Sequence, residues 1–303
     1  LNKKALDSLA KLGAKLIITV DNGIRNKAEV AYAKKIGLDI IITDHHEPPA
    51  DKNDWPDCLI IKPKAEDYDY KSFAGVGVAF KFARGLISRA KLDDQMKIRL
   101  ENKILDLVAI GTVADMVSLL GENRKLVSRG LKVINEQKRL GLVELIKSAQ
   151  INGNLYKKIN ALNIGWQISP RLNSAGRLDH ANTAYELLIT KDKKEAQNIA
   201  KKLNEKNSQR QKITEAIAEQ CRRLIDEKML VDKILIVCSP NLEDGAAEGW
   251  PEGVIGLVAG RLCDEYNRPV LAITKVGKEI KGSGRSIEEF NIMKAIEQAG
   301  QYL

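Results

Sequence analysis

Asp44, His45 and His46 stand side by side at the end of the apolar run Asp39-Ile40-Ile41-Ile42-Thr43, just before Glu47-Pro48-Pro49. They include two of the chain's three histidines. A carboxylate beside two imidazoles offers oxygen and nitrogen ligands, which suit Mn or Mg better than the thiolate sets of structural zinc. A second acid, Asp21, closes another apolar run, Leu16-Ile17-Ile18-Thr19-Val20. Parallel strands lie about 4.8 Å apart, so carboxylates at neighbouring tips can converge on one cation. The alternative is that each aspartate caps the helix after it. Asp115 interrupts an apolar stretch that runs from Ile104 to Val117. An unpaired buried carboxylate is costly, and metal coordination, a helix cap or a buried ion pair would each satisfy it.

The elements that position these groups are legible around them. Ala5 to Leu12 reads as a helix ended by Gly13. Ala28 to Ile36 reads as another, stopped by Gly37. Residues 16–44 therefore form a βαβ unit with parallel strands, and ligands of such sheets gather at the carboxyl ends. Both strands are continuous apolar runs, the pattern of a sheet covered on both faces. Leu59-Ile60-Ile61 adds a strand, and residues 75–148 read as mostly helical, with a break at Gly141. Asn163 to Leu178 mixes Gly, Ser, Asn and Pro with two arginines and reads as a ligand-holding loop. Lys191 to Leu230 is the longest candidate helix. Its middle, Lys206 to Lys212, has no apolar residue, which suits a solvent-crossing connection. Beyond it, Ile234 to Val237 and Val270 to Thr274 read as strands around a helix from Val254 to Tyr266. The expected fold is α/β: a parallel-sheet domain over 1–190, a connecting helix over 191–230, and a smaller α/β domain over 231–303.

Bulk properties narrow the function. The 303 residues suffice for two domains. A net charge of +9, from 49 basic and 40 acidic side chains, favours a polyanionic partner. No apolar run reaches the roughly 18 residues of a membrane span. Cys58, Cys221, Cys238 and Cys263 are scattered and read as small core residues of a reducing cytoplasm. The chain opens Leu1-Asn2-Lys3-Lys4 without Met or a signal segment, which reads as the interior of a longer polypeptide.

In order and spacing, Val20-Asp21-Asn22-Gly23, Thr43-Asp44-His45-His46 and Gly111-Thr112-Val113-Ala114-Asp115-Met116-Val117 resemble the motifs of the DHH phosphoesterases. Pro170 to Leu178 and Gly282-Ser283-Gly284-Arg285-Ser286 resemble segments of the RecJ single-strand exonucleases within that family. The resemblance implies a DHH domain and a DHH-associated domain. The implied activity is 5′-to-3′ removal of nucleotides from single-stranded DNA with two Mn or Mg ions, in DNA repair and recombination. Asp21 would bridge the ions, and His45 and Asp115 would complete one of them. Asp44 would orient the first histidine, and His46 would face the scissile phosphate. Arg171, Asn173 and Arg177 would hold phosphates or the 5′ end. Ser283, Gly284 and Arg285 would grip substrate. Single-stranded DNA, with single-strand-binding protein beside it, would be the partner of a cytoplasmic monomer.

The resemblance has departures. No Asp-x-Asp pair precedes Asp21, and no Gly-Gly-His segment follows Ala295. The chain is therefore expected to be an internal stretch that binds DNA weakly and cleaves it little alone. Pro251 stands where many relatives carry histidine, so Trp250 is left to stack on a base. His180 has no place in the motif set and reads as structural. Two other readings stay open: a non-catalytic single-strand-binding scaffold, and a cyclic-dinucleotide or short-oligonucleotide phosphodiesterase.

Overall fold

The structure, a computed structural model, describes residues 1–63, 68–151, 158–178, 181–225, 232–242 and 249–300. It forms two compact units, Leu1–Ser169 and Pro170–Leu303. In the first, α1 (Lys3–Lys11) starts at Asn2, whose side chain accepts the Ala5 N–H at 2.8 Å. Then come β1 (Leu16–Val20), α2 (Lys27–Lys35), β2 (Asp39–Thr43) and β3 (Leu59–Ile61). The three strands pair in the order β1-β2-β3, all parallel. Leu6, Val30, Ala33 and Leu38 pack with Ile40 and Ile42 over one face. The expected cover on both faces fails at β1, where Leu16, Ile18 and Val20 are 50%, 44% and 48% exposed. β1 is an edge strand of the described sheet, so its second apolar row has less to pack against.

The helices α3 (Gly75–Arg89), α4 (Asp94–Ala114), α5 (Gly121–Asn135) and α6 (Leu140–Ser148) complete the first core. The break falls at residues 136–139, and Gly141 lies inside α6. A Cβ on Gly130 would stand 2.2 Å from the Leu105 carbonyl oxygen, and one on Gly111 would stand 2.8 Å from Val76 Cγ1. These glycines let α5 and α3 approach α4 closely. Asp106 on α4 is buried and accepts Arg139 Nη2 at 2.9 Å, tying α4 to the start of α6.

The ligand-holding loop expected over Asn163–Leu178 is a helix. α7 (Ala161–Asn163) runs into a π turn at Ile164–Ile168 and then α8 (Ser169–Leu178). The Ser169 N–H reaches back five residues to the Ile164 carbonyl. Pro170, which has no N–H to give, stands directly after that turn. Ile164, Ile168 and Ala175 recur at helical spacing and are fully buried. That apolar face outweighs the Gly, Ser and Pro content.

The second unit continues with α9 (Asn182–Ile189), α10 (Lys193–Leu224), β4 (Leu235–Cys238), α11 (Glu252–Tyr266), β5 (Val270–Val276), β6 (Glu279–Arg285) and α12 (Ile292–Ala299). β4 and β5 are parallel, and β6 returns antiparallel after Gly277, whose φ is +61°. The two units meet between Ser169 and Pro170 in sequence, and α10 falls within the second. Its expected solvated middle is not fully solvated: Asn207 is 1% exposed. Ile217 and Cys221 on α10 share a core with Val254, Val258, Leu262, Val270 and Trp250. Trp250 is thus a core residue, not a base-stacking surface. Its Nε1–H donates to Gln220, and its carbonyl accepts Thr274 Oγ1. Cys221 and Cys263 are buried as expected, Cys58 is half-buried and Cys238 is exposed; all are free thiols. Among the described residues, no helix is long and apolar enough to cross a membrane.

Candidate metal centre

Asp21 and Asp44 each stand one residue beyond a strand and continue its ladder. The Asp21 N–H donates to the Thr43 carbonyl at 2.9 Å, and the Asp44 N–H to the Ile61 carbonyl at 3.2 Å. Register therefore sets both acids at the same edge of the sheet. Thr43 Oγ1 donates to the Thr19 carbonyl and ties the two tips together. Asp21 holds φ at +64°, a left-handed conformation uncommon outside glycine. The turn after it fixes that geometry, since Thr19 Oγ1 donates to the Asn22 carbonyl and Asn22 Nδ2 to that of Val20.

Asp44 is 1% exposed and joins the two loops. Its Oδ2 accepts the Ile24 N–H at 3.0 Å, and its Oδ1 accepts the backbone N–H groups of His45 and His46 at 2.7 and 3.2 Å. The same Oδ1 meets His46 Nδ1 at 2.7 Å. The ring that Asp44 meets is that of the second histidine; of the first, which it was expected to orient, it accepts the backbone N–H. A side chain this close to its own backbone reaches the ring two residues on, while the His45 ring turns toward Asp21. Burial pushes the Asp44 carboxyl up, but the bonds from His46, Ile24 and the two backbone amides outweigh it and hold the group below its usual range.

His45 Nε2 lies 3.0 Å from Asp21 Oδ1 and 3.5 Å from Asp115 Oδ2. It is buried and meets no acceptor in hydrogen-bonding alignment. The Asp21 carboxylate raises the His45 pKa, burial lowers it, and the charges of Asp115, Asp21 and Asp44 leave it above the ordinary value. Asp115 is the C-terminal cap of α4, its N–H bonded to the Gly111 carbonyl at 3.0 Å. Burial raises its carboxyl, His45 opposes that, and the net shift is upward. Ligand atoms of Asp21, His45 and His46 lie within 4.8 Å of one another. Two carboxylates facing a buried, unsatisfied imidazole nitrogen fit a hard divalent cation. The structure thus brings Asp21, Asp44, His45, His46 and Asp115 together from three separate stretches of sequence.

Two neighbours escaped the sequence reading. Lys62, just past β3, is 4% exposed and donates from Nζ to the His46 carbonyl. A lone lysine directly after an apolar strand was its only signal. Gly75 opens α3 against Asp21; paired glycines at a helix start were the signal there.

The residues expected to hold substrate have other surroundings. Arg171 is half-buried on α8, donates from Nε to Asn204 Oδ1 at 2.9 Å, and is lowered by burial. Asn173 is exposed. The Arg177 side chain and the whole of His180 lie outside the described residues. Ser283, Gly284 and Arg285 lie on β6. Arg285 Nη1 donates to the Gly284 carbonyl at 2.7 Å. A Cβ on Gly256 of α11 would meet Ser283 Oγ at 2.9 Å and Arg285 Nη2 at 3.1 Å, so both side chains lie along that helix.

Fold and site together define an α/β domain of the DHH class, with acids and imidazoles at the tips of a parallel sheet, followed by a second α/β domain. Residues 2–112 match the DHH family, N-terminal domain, and residues 226–302 match the DHHA1 domain. The single-stranded-DNA-specific exonuclease RecJ of Bacillus subtilis is 37% identical over all of this chain, and that of Salmonella typhimurium is 36% identical over 98% of it. The chain spans 36% and 52% of their lengths. A crystal structure of exonuclease RecJ bound to manganese superposes with a TM-score of 0.79 at 31% identity, over 99% of this chain and 70% of that one. RecJ from Thermus thermophilus in complex with Mn2+ gives 0.82 at 31% identity, over 98% of this chain and 41% of that one. This chain belongs to the RecJ family of DHH proteins.

Proposed function

We propose that this chain carries the cation site and substrate-holding surfaces of an Mn2+- or Mg2+-dependent exonuclease that trims single-stranded DNA from its 5′ end in repair and recombination. The observation that carries this reading is His45 Nε2, buried between the Asp21 and Asp115 carboxylates with no aligned partner. Asp21, His45 and Asp115 would hold the ion. The relatives solved with Mn2+ or Mg2+ support that choice. Asp21 would be shared if two such cations were held, and the chemistry supplied there would be Lewis-acid neutralisation of the phosphoryl group and activation of water.

The protein's own groups supply the rest. Asp44 takes the Nδ1–H of His46 and so fixes the tautomer in which Nε2 is free. That nitrogen, on a side chain 57% exposed, would face the scissile phosphate and, on taking up a proton, would donate to a phosphoryl oxygen. Arg171, Asn173, Arg177, Ser283, Gly284 and Arg285 would position the strand, the arginines through charge-assisted bonds to phosphates. The same reading makes the protein a cytoplasmic monomer that works beside single-strand-binding protein.

The test is release of mononucleotides from 5′-phosphorylated single-stranded DNA in Mn2+, by this chain and by the same chain extended at both ends. The expected result is Mn2+-dependent release by the extended chain, which Asp21→Ala and His45→Ala abolish, and little or none by this chain alone. Binding of DNA with no cleavage by either protein would overturn the enzyme reading in favour of a scaffold. Cleavage of a cyclic dinucleotide alone would replace DNA as the substrate.

A further inference from the structure

Gly75 is the first residue of α3 and is buried. A Cβ built on it would stand 2.3 Å from Asp21 Oδ1 and 2.4 Å from both Asp21 Cγ and Asp21 Cβ. Real Cβ atoms do not approach other atoms that closely, so something would have to move. The obstructing atoms are not the far end of a flexible chain. They belong to a short side chain whose backbone is held in a left-handed turn by bonds on both sides. The helix that carries Gly75 is equally constrained, because Phe73, Val78 and Phe80 sit in the core with Leu105 and Leu126. Ala74, the residue capping α3, gives its first turn no side-chain acceptor.

We infer that Gly75 is a positioning residue for Asp21: its missing side chain is the space in which the Asp21 carboxylate stands beside His45. This inference rests on the metal-site reading but can fail separately from it. Gly75→Ala pushes the carboxylate away from His45 Nε2 or shifts the start of α3. Gly85 lies on the same helix with nothing within 4 Å of a Cβ, so Gly85→Ala is the matched control.

Three measurements on the whole chain test it. Mn2+ titration followed by electron paramagnetic resonance should show wild-type and Gly85→Ala binding alike, and Gly75→Ala binding roughly 10- to 100-fold more weakly, the usual effect of a residue that orients a ligand. In the metal-free protein, the ring nitrogen resonances of His45 should move in Gly75→Ala and not in Gly85→Ala. Gly75→Ala should also melt lower than the parent, and in an Asp21→Gly background the same substitution should cost much less, since the three atoms nearest the new methyl all belong to Asp21. This comparison stays informative even if Gly75→Ala folds poorly. Equal Mn2+ affinity and unmoved His45 signals in Gly75→Ala would overturn the inference while leaving the metal site standing. No Mn2+ binding by the wild type would overturn both. A melting loss that persists in the Asp21→Gly background would show that Gly75 serves α3 rather than Asp21.

Discussion

Asp44→Asn is the sharpest probe of the site because it changes one atom and hardly changes shape. Oδ1 accepts three donors, the two backbone N–H groups of His45 and His46 and the Nδ1–H of His46, whereas Oδ2 accepts only the Ile24 N–H. The amide must keep its oxygen where three donors converge, so its NH2 faces the Ile24 N–H across 3.0 Å. Donor then meets donor at a residue 1% exposed, beside Ile24 at 2%. Losing a hydrogen bond to a charged group costs about 1.5–3 kcal/mol, and leaving a buried donor unmet adds about 1–3. The sum, about 3 kcal/mol or more, corresponds to a fall in melting temperature of roughly 6–12 °C for a unit of this size.

Calorimetry of wild type and Asp44→Asn without metal gives the measurement, and its pH dependence gives a second check. The folded carboxyl of Asp44 lies below its unfolded value. Its stabilisation is therefore present above the unfolded pKa and is lost as pH falls through the folded one. The gap between the two proteins should be widest near neutrality and shrink in acid. A variant that melts within about 2 °C of the parent at neutral pH, below the shift calculated above, would refute the account of Asp44 as the tie between the two loops.

Arg139→Ala leaves Asp106 buried without its guanidinium, and loss of one partner of such a pair costs about 3–5 kcal/mol; urea unfolding should show it. Lys62→Met removes the donor to the His46 carbonyl and should weaken Mn2+ binding, with Lys62→Arg recovering part of it; equal titration curves for Met and wild type would count against this role. Burial raises the Glu122 carboxyl, but bonds from Lys81 and Tyr68 hold it below its usual range, so its contribution is lost as pH falls through that lowered value. Glu122→Gln should accordingly flatten part of the acid side of the stability profile measured by thermal melts.

The sheet that carries the site could be read almost to the residue. β1 and β2 begin and end where the runs Leu16–Val20 and Asp39–Thr43 begin and end. Runs rich in β-branched residues and each closed by an aspartate leave little choice of element, and parallel register then puts Asp21 and Asp44 at one edge. Other parts depend on partners distant in sequence. β6, Glu-Ile-Lys-Gly-Ser-Gly-Arg, has neither apolar alternation nor strand propensity, and it is a strand because β5 pairs with it along its length. The helix over Asn163–Leu178 was hidden by its Gly, Ser and Pro, although Ile164, Ile168 and Ala175 already traced a buried face. Trp250 looked like a stacking surface because nothing in its own loop reveals Gln220 or Thr274.

The same division holds within the site. Residue type and order identified the groups able to hold a cation, because chemistry restricts those to acids and imidazoles. What holds them in place is not restricted in that way. A carbonyl acceptor for Lys62, the open space at Gly75 and the choice of the His46 ring over the His45 ring by Asp44 follow from where backbones pass one another. Of these, Gly75 makes the point most clearly: it offers no functional group, and its contribution is the space left for the Asp21 carboxylate. A reading that searches only for reactive side chains cannot find such a residue. One that asks what would collide with an added methyl group can.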